Sequence, residues 1–240
     1  MNRILFEPAE IVAGTVTVAD ARAAHILGVL HGEVGDVLKT GEIDGKTGCS
    51  EIIAVDVSRP SVTLRTVHDR EAAAPWADLI LAPPRPRVLK RLLPQLAALG
   101  VGKIFLVGAA KVERDFWGAT LLKTENYRPL LVEGLMQCGM TALPTVETRR
   151  NFRRFVQDEL SAALPSPRRL VAHPYAAGAK AAAPAAVGGE RLTLAIGPEG
   201  GWTDAEVELL EAHGFTRYVL GERILKTETA AVALLGRLMG

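Results

Sequence analysis

LTLAIGPEGGWTDAEVELL, residues 192–210, decides the fold class of this chain. Leu192–Ile196 is a mainly apolar segment of strand length, as expected of a buried strand. Gly197, Gly200 and Gly201 mark a glycine-rich turn, and the helix after it has a well-specified start. Thr203 can cap the free amides, Glu206 three residues later completes a capping box, and Gly214 stands past the last turn. A buried strand, a turn and a helix in this order form one unit of a parallel α/β sheet. The glycines allow a ligand close to the backbone, and Ile196, Gly197, Pro198, Gly200 and Gly201 are candidate binding positions beside the helix start. In many α/β proteins such a turn serves geometry alone. Neither GxGxxG after the first strand nor GxxxxGK[ST] occurs, so neither a dinucleotide fold nor a P-loop is indicated.

Two further turns extend this edge. In RYVLGERILKTETAAVALL (217–235), Gly221 ends a strand, Thr227 is placed to cap the last helix, and Glu228 complements its dipole. Ile224 and Leu225 can pack on an aromatic ring or anchor the loop to the core; Arg223 and Lys226 can face an anionic partner or solvent. In LVAHPY (170–175), His173–Pro174 closes another strand, and a histidine there has a structural reading beside a functional one. Three successive strands thus end in loops on one sheet edge, where open α/β folds place ligands.

The rest of the chain fits this frame. Strands are expected at 78–82, 103–107, 145–147, 168–173 and 217–220. Helices are expected at 87–99, 120–138, from 151, 203–213 and 228–239, with Pro94 kinking the first or delaying its start. The Ala/Gly/Pro-rich stretch 176–189 reads as a loose surface loop. Residues 1–72 differ: TVTV (15–18), DVLKT (36–40), SEIIAVDV (50–57) and SVTLRTV (61–67) read as strands around one helix at 20–30 capped by Asp20. A small barrel closed by that helix is expected, joined through EAAAPW (71–76) to an α/β domain over 73–240.

Bulk properties exclude several classes. A 240-residue chain, 48% hydrophobic and 23% charged, can bury a proper core. Cys49 and Cys138 stand in no metal-type spacing, so a reducing compartment is expected and no metal site. MNRILFEPAE does not read as a signal peptide, and no apolar run suits a membrane span, so a cytoplasmic protein is expected. Net charge is +1, unevenly spread. Between Arg85 and Arg154 thirteen Lys and Arg face five acids, whereas residues 1–72 hold seven basic residues and eleven acids. The first stretch is either a surface for a phosphate backbone or a set of solvated helix faces.

IGPEGGW (196–202) followed by LGERILKTETA (220–230) resembles the signature of the RsmE family, ribosomal RNA uridine methyltransferases of the SPOUT superfamily. The His173–Pro174 pair, Gln137 before Cys138–Gly139, His25 with Val29–Leu30, and Val34–Asp36 fall at matching places. The resemblance implies a PUA-like, RNA-binding barrel and a SPOUT α/β domain with a deep trefoil knot. It also implies a homodimer, and S-adenosylmethionine held in the knot by His173, Pro174, the 196–201 turn, Leu220, Gly221, Ile224, Leu225 and Thr229. The implied substrate is a uridine ring nitrogen in 16S ribosomal RNA, free or in the assembled small subunit, with Arg223, Lys226 and Glu199 as catalytic candidates. The chain departs from the family pattern at Gly28, His31, Met140 and Lys226, where arginines are usual, and Met136 replaces a charged residue. Lysine cannot reproduce arginine's bidentate fork. An RNA-binding protein that has lost activity and an enzyme for small phosphorylated molecules are the alternative readings.

Overall fold

β-branched alternation in the first third builds a curled mixed sheet. Its strands are β1 (Ile4–Phe6), β2 (Thr15–Val18), β3 (Val37–Glu42), β4 (Thr47–Asp56) and β5 (Ser61–Arg70), in the order β1-β3-β4-β5-β2. β1 runs parallel to β3, and the other pairs are antiparallel. Val16, Val18, Ile52, Val62 and Leu64 alternate inward onto Ile4, Phe6 and the buried face of helix α1 (Ala21–Gly28), Ala23 and Ile26. Asp20 caps α1 by accepting the Arg22 amide at 2.8 Å. β1 has no counterpart in the sequence reading, because three apolar residues are too short to show a period.

The computed structural model describes residues 2–173 and 190–239. It divides into two compact units, Met1–Ala74 with Val132–Leu143, and Pro75–Leu131 with Pro144–Gly240. The insertion of 132–143 into the first unit follows from hydrogen bonding. The amides of Asn2 and Arg3 donate to the Met136 carbonyl, and the Arg3 guanidinium reaches the carbonyls of Gly139 (2.9 Å), Thr40 (2.5 Å) and Gly48 (3.0 Å).

The second unit is a six-stranded, wholly parallel sheet: β6 (Ala77–Leu81), β7 (Val101–Val107), β8 (Thr145–Arg149), β9 (Arg168–Ala172), β10 (Leu192–Ile196) and β11 (Thr216–Tyr218). Their order is β11-β9-β10-β6-β7-β8. β6 and β10, at the centre, are buried at every residue, the polar Asp78 and Thr193 included. Helix α2 (Pro86–Ala98) starts at the expected place with a proline in its first turn and continues through Pro94, burying Leu89, Leu92, Leu93, Leu96 and Ala97. Two 3₁₀ turns, Arg114–Gly118 and Thr120–Leu122, precede helix α3 (Thr124–Cys138), which begins later than the sequence suggests. The helix expected from residue 151 is α4 (Phe152–Arg154), a π-helical turn Phe155–Glu159 and α5 (Leu160–Ala163). Helices α6 (Asp204–Ala212) and α7 (Thr227–Leu238) complete the unit. β11 ends at Tyr218, so Gly221 lies within the following loop rather than at the strand's end. Residues 176–189, read as a loose loop, lie outside the described residues. Among the described residues no helix is long and apolar enough to cross a membrane.

Candidate active site

Parallel strands bring their C-terminal ends to one edge. β11, β9 and β10 are neighbours, so the loops after Ala172, Ile196 and Tyr218 meet there and enclose a cleft. Ala172 and His173 contribute from β9. Ile196 to Trp202 form the glycine turn's wall, and Tyr218 to Gly221 with Arg223, Ile224 and Leu225 form the opposite one. Thr227, Ala230 and Leu234 of α7 line the cleft as well.

Local chemistry fixes the glycine turn. Thr203 and Glu206 form the expected capping box: the Glu206 amide donates to the Thr203 hydroxyl at 3.3 Å, and the Thr203 amide donates to a Glu206 carboxylate oxygen at 2.8 Å. The second Glu206 oxygen accepts the Ala110 amide at 2.7 Å, tying the loop after β7 to the start of α6. Gly201 has φ +69°, a conformation that favours glycine. At Gly197 a Cβ would stand 2.9 Å from the Trp202 amide nitrogen, so a side chain there requires the backbone to move. Lys111 lays its stem against Gly200 and donates from Nζ to the Gly200 carbonyl at 2.7 Å.

Thr227 does not cap α7. Lys226 occupies the cap position, while the buried Thr227 hydroxyl donates to the Gly197 carbonyl at 3.3 Å and fastens α7 to the glycine turn. His173 is buried, and desolvation holds its pKa below the ordinary 6.5, with the Arg217 and Lys111 charges acting in the same direction against Asp204 and Glu211. The imidazole is therefore neutral at neutral pH. Trp202 is 4% exposed, stacks at a tilt on Phe152 with centroids 5.1 Å apart, and leaves its Nε1 proton without an acceptor among the described residues. Arg223 is exposed, with no ion pair among the described residues, and Ile224 is 69% exposed at the rim.

Residues 71–239 match the family model described as an RNA methyltransferase domain. A ribosomal RNA small subunit methyltransferase E from Treponema pallidum is 33% identical over 97% of this chain and 88% of its own length. The chain belongs to the RsmE family. A second RsmE relative, from Synechocystis, is 27% identical over 98% of this chain and 76% of its own length. The RsmE structure from Neisseria gonorrhoeae bound to S-adenosyl methionine superposes with a TM-score of 0.77 at 22% identity, covering 99% and 96% of the two chains.

Of the residues singled out in this RsmE-family chain, His173, Ile196, Gly197, Pro198, Glu199, Gly200, Gly201, Leu220, Gly221, Arg223, Ile224 and Leu225 come together in the cleft. Lys226 and Thr229 are not part of its lining; the helical turn presents Thr227 and Ala230 instead. Pro174 lies outside the described residues. Trp202, Tyr218 and Leu234 escaped the sequence reading because apolar residues in core-type positions give no sign of which of them border a cavity. The lining suits a ligand with an aromatic base and a polar tail. Ile196, Leu220, Ile224, Leu225, Ala230 and Leu234 offer apolar surface, and the glycine turn's backbone and the unpaired Trp202 N–H offer polar contacts.

Proposed function

We propose that this S-adenosylmethionine-dependent ribosomal RNA methyltransferase of the RsmE family methylates the imide ring nitrogen of a uridine in 16S ribosomal RNA. In this reading it works as a cytoplasmic homodimer on the RNA or on the small subunit. The observation that carries the proposal is the cleft itself: three neighbouring loops of a parallel sheet, a glycine turn latched to the last helix, and an exposed arginine at the mouth. His173, the 196–201 turn, Leu220, Gly221, Ile224 and Leu225 would hold the cofactor, with Pro174 and Thr229 beside them. Residues 1–72 would serve as a PUA-like RNA-binding barrel, and the cofactor loops of residues 73–240 as a knot. When bound, the cofactor supplies an electrophilic methyl group on a sulfonium.

The protein's own task follows from the acceptor. An imide nitrogen carries a proton that must leave, and negative charge then spreads onto the flanking carbonyl oxygens. Glu199, exposed on the glycine turn and in the cleft lining, would receive the proton in this reading. Arg223, exposed and without an ion-pair partner among the described residues, would stabilise the oxygens. The neutral His173 adds no repulsion toward a cationic ligand. The deciding experiment incubates the protein with unmodified small subunits and isotope-labelled cofactor, then identifies the labelled nucleoside by mass spectrometry. Uridine methylated on its ring nitrogen is the expected product. Label on another base or on ribose would overturn the target, and no label at all would overturn the activity.

A further inference from the structure

A second groove lies on the same sheet edge, between the turn after β6 and the segment after β7. Pro83, Pro84 and Pro86 form one wall, Val112 and Phe116 the other, with Lys111 and Arg85 among the lining residues. Its remaining wall is Pro198 and Glu199, which also line the cofactor cleft. The two hollows are thus separated by a single turn of backbone. Transfer between two bound reactants requires them in contact, and a groove sharing a wall with the cofactor cleft is where an acceptor meets that condition.

The groove combines apolar and cationic side chains, the two kinds of group that recognise a nucleotide. Pro86 and Val112 leave partly exposed apolar surface for a base, over the buried Pro83, Pro84 and Phe116. Arg85 is paired with Glu113 at 3.3 Å, but the two side chains are 66% and 64% exposed, so the pair is weak and an RNA phosphate can displace the carboxylate. Lys111 is held at the shared wall by its contact with Gly200. One of its ammonium protons is used on the Gly200 carbonyl, and an ammonium carries three.

Building on the methyltransferase reading, we propose that this groove receives the target nucleotide of the RNA and that Lys111 is a second cation, beside Arg223, meeting one carbonyl oxygen of its base. The glycine turn has a second role here: its Gly200 carbonyl aims the Lys111 ammonium at the acceptor while the rest of the turn faces the cofactor.

Lys111→Met keeps the stem that packs on Gly200 and removes the charge; Lys111→Arg keeps a charge. The methionine variant should retain S-adenosylmethionine affinity within about twofold in calorimetry, lose about 100-fold in kcat on small subunits, and be largely rescued by the arginine variant. In parallel, 16S RNA containing 4-thiouridine is photocrosslinked to the unmodified protein and the adducts are mapped by mass spectrometry; they should fall in residues 83–86 or 111–116. Adducts confined to other segments would overturn the proposal, as would a methionine variant turning over at the parent rate. Cofactor affinity falling in step with turnover would also overturn it, by making Lys111 a support of the glycine turn alone. Absence of methylation by the parent protein would count against the methyltransferase reading itself, and the crosslinking arm would still report whether RNA enters the groove.

Discussion

At the residue scale, charge on the cleft loops divides into groups that face the cavity and groups that do not. Arg223 and Lys226 look equivalent in the sequence, three positions apart in one loop. The structure separates them: Arg223 lines the cleft, whereas Lys226 is the cap residue of α7 and is outside the lining. Arg223→Ala should therefore lower kcat about 100- to 1000-fold with little change in cofactor affinity. Lys226→Ala should stay within about threefold of the parent in single-turnover rates, because an exposed charge away from the acceptor stabilises little. Equal losses in the two variants would refute this division. His173 supports a pH prediction. Burial holds its pKa below 6.5 in the folded state, so in the window below that value the unfolded chain binds more protons. Stability is then complete above the unfolded value and falls as pH drops through the window. His68, also lowered chiefly by burial, acts in the same direction. Urea midpoints should decline between about pH 7 and pH 5, and His173→Gln should flatten part of that slope. A variant with the parent's full pH dependence would show that His173 is not a source of it.

At the element scale, what could be read in advance depended on whether a signal is local. The capping box of α6 is local, and Thr203 and Glu206 make it as their spacing predicts. β10 is local too: four apolar residues and Thr193, between polar and glycine neighbours, form a central strand at the expected bounds. Thr227 departs from the cap role its position suggests because its actual role is not local. Its position beside the helix start suggests a cap, but its hydroxyl is drawn to the Gly197 carbonyl, thirty residues back along the chain. The Lys111–Gly200 bond and the inclusion of 132–143 with the first unit are long-range in the same way, and no periodicity announces them. The capping box gives a measurable consequence. Thr203→Ala should cost about 1 kcal/mol. Glu206→Ala should cost more, since the same carboxylate also accepts the Ala110 amide of a separate loop. A double-mutant cycle by urea denaturation should show the two losses to be non-additive, because both act through one cap. Additive losses would mean that the box does not behave as a unit.

At the scale of the whole molecule, the last helix and the charge distribution each bear on assembly. α7 looks apolar nearly all round in sequence, and Ala231, Leu234, Leu235 and Leu238 are buried within the chain. Val232, Gly236 and Met239 share another face of the helix; Val232 is half-buried, while Gly236 and Met239 are exposed. If that face joins two copies, light scattering should give a dimer for the parent and a monomer for Val232→Glu; a monomeric parent would remove the dimer from the proposal. The charge pattern makes a separate prediction. The basic excess between Arg85 and Arg154 lies mainly in the second unit, and the acidic excess of residues 1–72 lies in the first. RNA binding releases counterions in proportion to the phosphates neutralised, at a slope of about 0.7 per phosphate in log K against log salt for a single strand. Arg114, Arg150 and Arg153 are exposed and follow β7 and β8 at the end of the sheet where the cleft opens. Replacing all three with glutamine should lower the slope by about 2, if each meets one phosphate. Replacing the exposed Lys39 and Arg59 of the first unit should lower it less, because the RNA-binding role proposed for that unit works against its acidic excess. The opposite result would move the phosphate contacts to the first unit, whose local basic residues would then have to overcome its net negative charge.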